Sequence, residues 1–193
     1  MEKSSLEKIE ARYREFLDDK ERRVFIHRFD EERGEVDFCI CRSSIHGPLE
    51  TLWLHLRYGV IMFALGLPWS WPKVFALRLF GATIGEGVYI SQRAYIDPLY
   101  PQLLEIGNNV LIGYDAKIFF HEITKRAYRV GRVKLGDRCI IGASAIVRPG
   151  INIGEDAEVG ALTAVTHSVK AGTVVFGVPG KVVGKEGKVE DDQ

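Results

Sequence analysis

The sequence predicts a mainly β protein: a stack of parallel β coils in its carboxy-terminal half, behind an amino-terminal region of helical and mixed character. Three observations carry this. Aliphatic residues recur at every sixth position from Ile84 onward, the residue after each is small in most hexads, and a second small or β-branched residue stands four positions after each aliphatic. A helix repeats at about 3.6 residues and a plain strand at about 2, so a period of six fits neither. Short flat strands joined by tight corners do fit, and coils of that kind stack their aliphatic residues into ladders.

The segment Ser5–Arg23 reads as an amphipathic helix, with Leu6, Ile9, Tyr13, Phe16 and Leu17 at three- and four-residue spacings among Glu, Lys and Arg. Val36–Cys41 is a strand candidate, and Gly47-Pro48 punctuates the chain before its character changes. Leu52–Phe80 is apolar and aromatic, but His55, Arg57 and Lys73 interrupt it and Pro68 and Pro72 break it. No run approaches the roughly 18 apolar residues that a bilayer span requires. Trp53, Trp69 and Trp71 beside Arg57, Lys73 and Arg78 suit either a membrane interface or helices that cap the open end of the repeat or pack between subunits.

In the repeat the aliphatic series runs Ile84, Ile90, Ile96, resumes after four inserted residues at Ile106, Ile112 and Ile118, and after a longer break continues through Leu135, Ile141, Val147, Ile153, Val159 and Val165. The small follower is Gly85, Ser91, Gly107, Gly113, Gly136, Gly142, Gly154 or Gly160, and the fourth position holds Val88, Ala94, Val110, Ala116, Cys139, Ala145, Ala157, Thr163 or Val169. Glycine suits a corner through its tolerance of φ > 0 and of close packing. The expected organisation is therefore a helical cap region over 1–82, the repeat over 83–184 with an extruded loop at 119–133, and a polar tail over 185–193.

Composition narrows the partners. The 193 residues are 46% hydrophobic, enough for a full core, and Lys+Arg balance Asp+Glu at 26 each, so nothing in the charge calls for nucleic acid. Cys39, Cys41 and Cys139 are too few and wrongly spaced for a disulfide framework or a four-ligand zinc site; reduced thiols suggest a cytoplasmic chain. The charged first 22 residues are not expected to be a secretory leader.

Runs such as Leu135–Val165, with its repeated Ile-Gly and Val-Gly steps, resemble the hexapeptide-repeat acyltransferases. The resemblance covers Ile84 to Val183. It implies a left-handed parallel β-helix, acetyl-CoA as co-substrate, no metal, a homotrimer with its active site between subunits, and acyl transfer to a hydroxyl. The left hand is implied by the resemblance alone, against the usual crossover rule.

Breaks in a regular repeat let loops project without disturbing the ladder. The longest begins at Phe119-Phe120-His121-Glu122. Attack of a hydroxyl on a thioester needs a base, and imidazole titrates in the useful range; the resemblance puts a catalytic histidine at the start of this loop, which His121 matches. Otherwise His121 orders the turn. Asp97, in the first break, could orient that imidazole, bind the acceptor hydroxyl, or serve its own turn before Pro98. Glu122, Tyr128 and Arg129 are candidates for the acceptor side.

The resemblance places the pantetheine arm of CoA along the uninterrupted coils, beside Gly142, Ala143, Gly160 and Ala161, with Thr166 and His167 further along. It places a phosphate-binding cation at Lys181 in Gly177-Val178-Pro179-Gly180-Lys181; Lys185 is a weaker candidate. A γ-class carbonic anhydrase would need a second histidine near His121, and none stands at that spacing. A scaffold would not need a histidine-bearing loop. The acceptor expected is a sugar or polysaccharide-precursor hydroxyl, with an amino-sugar amine as the alternative.

Overall fold

The computed structural model describes residues 3–28 and 48–185; the strand candidate Val36–Cys41 lies outside them. Helix α1 (Lys3–Asp18) contains the apolar positions Leu6 to Leu17 but ends before the expected Arg23. The Asp19 carboxylate accepts the backbone N–H groups of Glu21 and Arg22 (3.0 and 3.2 Å), turning the chain out of the helix and into strand β1 (Val24–Arg28), which the sequence reading missed. Ile9, Tyr13 and Phe16 form the buried stripe of α1.

After helices α2 (Pro48–Gly66) and α3 (Ser70–Leu79) the chain coils. Three faces form in rotation. The first holds β2 (Thr83–Ile84), β5 (Leu104–Ile106), β10 (Val133–Leu135) and β13 (Asn152–Ile153). The second holds β3 (Tyr89–Ile90), β6 (Leu111–Ile112), β11 (Ile140–Ile141), β14 (Glu158–Val159) and β16 (Thr173–Phe176), closed by antiparallel β17 (Lys181–Lys185). The third holds β4 (Tyr95–Ile96), β7 (Lys117–Ile118), β12 (Ile146–Val147) and β15 (Ala164–Val165).

Strands that share a coil face pair in parallel, aliphatic on aliphatic: Ile96 on Ile118 on Val147 on Val165, for example. These ladders are buried, as are the small residues four positions on, from Ala94 to Thr163. Each fully buried aliphatic contributes about 1.5–3 kcal/mol, and the contributions accumulate between neighbouring coils.

Of the two causes expected for the corner glycines, close packing holds and positive φ does not. The left-handed residue is the third after each aliphatic, and it is mostly not glycine: Arg93, Asn109, Asp115, Arg138, Ser144, Asp156 and Leu162 all have φ between 54° and 60°. The follower glycines are required by the next coil. A Cβ on Gly142 would stand 2.5 Å from the Ala161 backbone nitrogen, and one on Gly107 would stand 2.8 Å from that of Asp137.

Helix α3 closes the open end of the first coil. Its inner face is Pro72, Lys73, Ala76 and Leu77. The edge carbonyls there have no further coil to bond, so α3 bonds them: Lys73 Nζ donates to Ile90 O (3.3 Å) and Ser91 O (2.6 Å), and the Arg78 guanidinium donates to Ile84 O and Gly85 O. The cations in this stretch thus satisfy the stack's exposed acceptors.

Candidate active site

The residue after the aliphatic is small on the first and second faces but not on the third. There the followers are Asp97, Phe119, Arg148 and Thr166, stacked in register because their aliphatics pair directly and each backbone N–H bonds the coil beyond (Asp97 to Ile118, Phe119 to Val147, Arg148 to Val165). One corner of the coil is therefore lined by larger or polar side chains in register.

From this corner the 119–133 segment leaves as an antiparallel hairpin, β8 (His121–Ile123) and β9 (Ala127–Gly131), with Thr124 tying the turn. Strand β1 adds to the outer edge of β9 over five residue pairs, giving a three-stranded sheet in the order β1, β9, β8. Alternation along β8 sends His121 and Glu122 to opposite faces.

Asp97 is fully buried. Its Oδ1 accepts the Leu99 N–H (3.0 Å), and its Oδ2 accepts the Phe120 N–H (3.3 Å) and stands 2.5 Å from His121 Nδ1. A carboxylate accepts only from a protonated Nδ1, so this contact orients the ring with Nε2 turned away from Asp97. No described residue bonds Nε2, and the histidine side chain is 25% exposed. Burial, with the Asp97 charge adding to it, pushes the neighbouring Tyr95 hydroxyl up to about 12.

Two tyrosines wall the imidazole. The Tyr100 ring meets it edge to face at 5.6 Å and Tyr128 lies at 6.3 Å; their hydroxyls bond each other at 2.7 Å. Tyr128 is buried beside the imidazole, inside the site wall. Glu122 takes a two-point ion pair from Arg148 (2.9 and 2.6 Å), which raises the Arg148 pKa, and lies 3.7 Å from Arg129, its cross-strand partner.

The residues expected along the CoA arm fall into two groups. Gly142 with Ala143 and Gly160 with Ala161 stack at the corner between the second and third faces, one above the other; Ala143 and Ala161 are exposed. The Phe176 ring covers Gly160 so closely that a Cβ there would overlap it. Thr166 and His167, bonded to each other at 3.0 Å, stand at the same corner as Asp97. Exposed Lys181 opens β17, beside the last third-face strand. Within one chain the width of the third face separates Gly142 and Gly160 from His121.

Sequence reasoning missed Arg148 and Tyr100. Arg148 had a signal, since it fills a slot that is small on the other two faces; Tyr100 had none. Among the described residues no three His, Cys, Asp or Glu side chains converge as a metal-ligand set.

The family model described as the hexapeptide repeat of succinyl-transferase matches residues 132–167. A putative acetyltransferase of Bacillus subtilis (strain 168), YvoF, is 32% identical over 128 residues, 66% of this chain and 74% of its own. A putative colanic acid biosynthesis acetyltransferase of Escherichia coli (strain K12), WcaF, is 28% identical over 156 residues, 68% of this chain and 84% of its own. The crystal structure of a maltose O-acetyltransferase from Clostridium difficile 630 superposes with a TM-score of 0.52 at 20% identity, covering 72% of this chain and 89% of that one, a likeness of fold.

Proposed function

The chain belongs to the hexapeptide-repeat acyltransferases, and we propose that it moves an acetyl group from acetyl-CoA to a hydroxyl of a sugar or polysaccharide precursor, with His121 as general base. The observation that carries this is the 2.5 Å contact between His121 Nδ1 and fully buried Asp97. With Nδ1 committed to the carboxylate, Nε2 takes the proton of the acceptor hydroxyl as its oxygen attacks the thioester carbonyl. The tetrahedral intermediate collapses, the carbon–sulfur bond breaks, and the imidazolium returns its proton to the leaving thiolate. Asp97 keeps the tautomer and steadies the imidazolium.

Acetyl-CoA is the co-substrate. Its arm is assigned to the corner of Gly142, Ala143, Gly160 and Ala161, with Thr166 and His167 beyond and Lys181 at the phosphates. The distance of that corner from His121 within one chain supports a second wall supplied by a neighbouring subunit; the homotrimer and the left hand of the coil come from the family resemblance. Glu122, Tyr128 and Arg129 are assigned to the acceptor side: Glu122 and Arg129 through the ion-pair cluster with Arg148, Tyr128 through the wall behind the imidazole. The saccharide direction is supported by the relative named for colanic acid biosynthesis. In this reading residues 83–184 form the catalytic coil, and the helices α2 and α3 before it form its cap. The sparse cysteines favour a cytoplasmic location.

A peripheral membrane contact through 52–80 belongs to the same proposal. No described helix is long and apolar enough to cross a membrane. The outer faces of α2 and α3 nevertheless expose Leu52, Trp53, Leu56, Phe63, Trp71, Phe75 and Leu79, with Phe63 at 74% and Trp71 at 71%. Exposed aromatic and aliphatic side chains of this kind suit the boundary between water and a lipid headgroup layer. The function is tested by offering acetyl-CoA with a panel of sugars and following thiol release, wild type against His121→Ala. Loss of transfer in the variant is expected; retained transfer refutes the assignment.

A further inference from the structure

We propose that the amino-terminal arm, α1 with β1, is a positioning element for His121, acting through Tyr13 on Tyr100 and through β1 on the hairpin that carries the imidazole. This rests on the reading of His121 as the base.

The hairpin needs such support. Strand β8 engages β9 over three residue pairs, and a two-stranded hairpin alone is marginal in water. Strand β1 supplies a third strand along all of β9, and it places Phe25, Val130 and His121 in one row across the sheet, on one face. Phe25 and Val130 are fully buried, so the row fixes the height of His121 over the coil.

The imidazole is held from the side by the arm's helix. Tyr13 meets Tyr100 edge to face at 6.2 Å, and Tyr100 meets His121 at 5.6 Å. Because the Tyr100 and Tyr128 hydroxyls are bonded to each other, neither wall of the histidine moves alone. Tyr13 in turn packs on Phe25 at 5.7 Å and Phe16 at 6.3 Å. A chain of ring contacts therefore runs from α1 to the reacting nitrogen.

One side chain adds several ties between the arm and the hairpin. Arg132, at the exit of the hairpin, donates from its guanidinium to Phe16 O (3.3 Å), Leu17 O (2.9 Å) and Asp19 O (3.2 Å), the open carbonyls at the end of α1. It also lies 5.4 Å over the Phe16 ring, and its backbone N–H bonds Arg23 O at 2.9 Å. A cation on a helix carboxy terminus is favourable in itself; here it ties the arm to the strand leaving the active site. Displacing a general base by a fraction of an ångström is costly in rate, so the arm acts on kcat.

The test compares Tyr13→Ala and Tyr13→Leu with wild type in the full chain, the leucine variant retaining volume should alanine open the coils. The His121 ring nitrogens are read by 15N NMR at about pH 8, assigned by the signal lost in His121→Gln, and kinetics are run with acetyl-CoA and the most active sugar of the panel. In wild type the Nδ1–H tautomer is expected. In the variants the signal is expected to move toward a mixture with Nε2–H, with kcat down about tenfold and the KM for acetyl-CoA within about twofold. An unchanged tautomer with kcat within about twofold of wild type overturns the positioning role. Retained transfer in His121→Ala would instead overturn the underlying base assignment, so the two failures are distinct.

Discussion

Replacing Asp97 by Asn changes one atom at the centre of the site. The carboxylate meets three donors: Leu99 N–H on Oδ1, and Phe120 N–H and His121 Nδ1 on Oδ2. Asparagine keeps the shape but offers one acceptor oxygen and one amide. With the oxygen left on Leu99, the amide faces two N–H groups, and the conflict is relieved when His121 Nδ1 gives up its proton and accepts instead. That moves the proton to Nε2, the atom that must be empty to act as base. Loss of the tautomer and of the buried countercharge is expected to lower kcat by about 10²–10⁴, or about 3–5 kcal/mol of barrier. The fold is expected to lose about 1–3 kcal/mol from the unsatisfied donor. Thiol release at saturating acetyl-CoA and acceptor measures the first, and thermal unfolding the second. A variant within about threefold of the wild-type rate would refute the role given to Asp97.

Three further outcomes follow from the geometry. Lys73→Met retains length but leaves the carbonyls of Ile90 and Ser91 without their donor, and should lower stability by about 1–3 kcal/mol with activity at permissive temperature unchanged; an unaltered melting temperature would contradict the cap. Burial pushes the Cys139 thiol from 9.0 up to about 12, so between those values the unfolded chain is thiolate while the folded one stays protonated and unreactive. In a Cys39→Ser, Cys41→Ser background, iodoacetamide should label only denatured protein, and labelling of the native form would contradict the burial. Phe63→Ser with Trp71→Ser and Phe75→Ser should abolish co-sedimentation with phosphatidylcholine vesicles and leave thiol release intact; equal sedimentation of wild type and variant would remove the membrane contact.

The coil was legible because its cause is local and repeated: one aliphatic and one small residue in each six, read straight from Leu135 to Val165. The corner was half legible. Asp97 stood out for its place in the first break, but Asp97, Phe119, Arg148 and Thr166 all fill a slot that is small on the other two faces, and that regularity sets the third-face edge apart. The arm was hidden for a physical reason. Val24–Arg28 is a short strand whose partner, Ala127–Gly131, lies far along the chain, and no local spacing encodes such a pairing. The end of α1 was misread because Asp19 redirects the backbone before the charged residues that follow can extend the helix. The two reasons for a corner glycine could not be told apart in the sequence, because close packing and positive φ both select it, and only the geometry separates them.

The most direct test of the central claim is the rate of acetyl transfer by His121→Ala at saturating acetyl-CoA and acceptor, on protein whose oligomeric state and melting temperature match wild type. A loss of about 10²–10⁴ in kcat, the range a positioned base contributes, is expected, with acetyl-CoA binding kept. A rate within about threefold of wild type would contradict it, and would leave the corner of Asp97 and His121 as a structural turn.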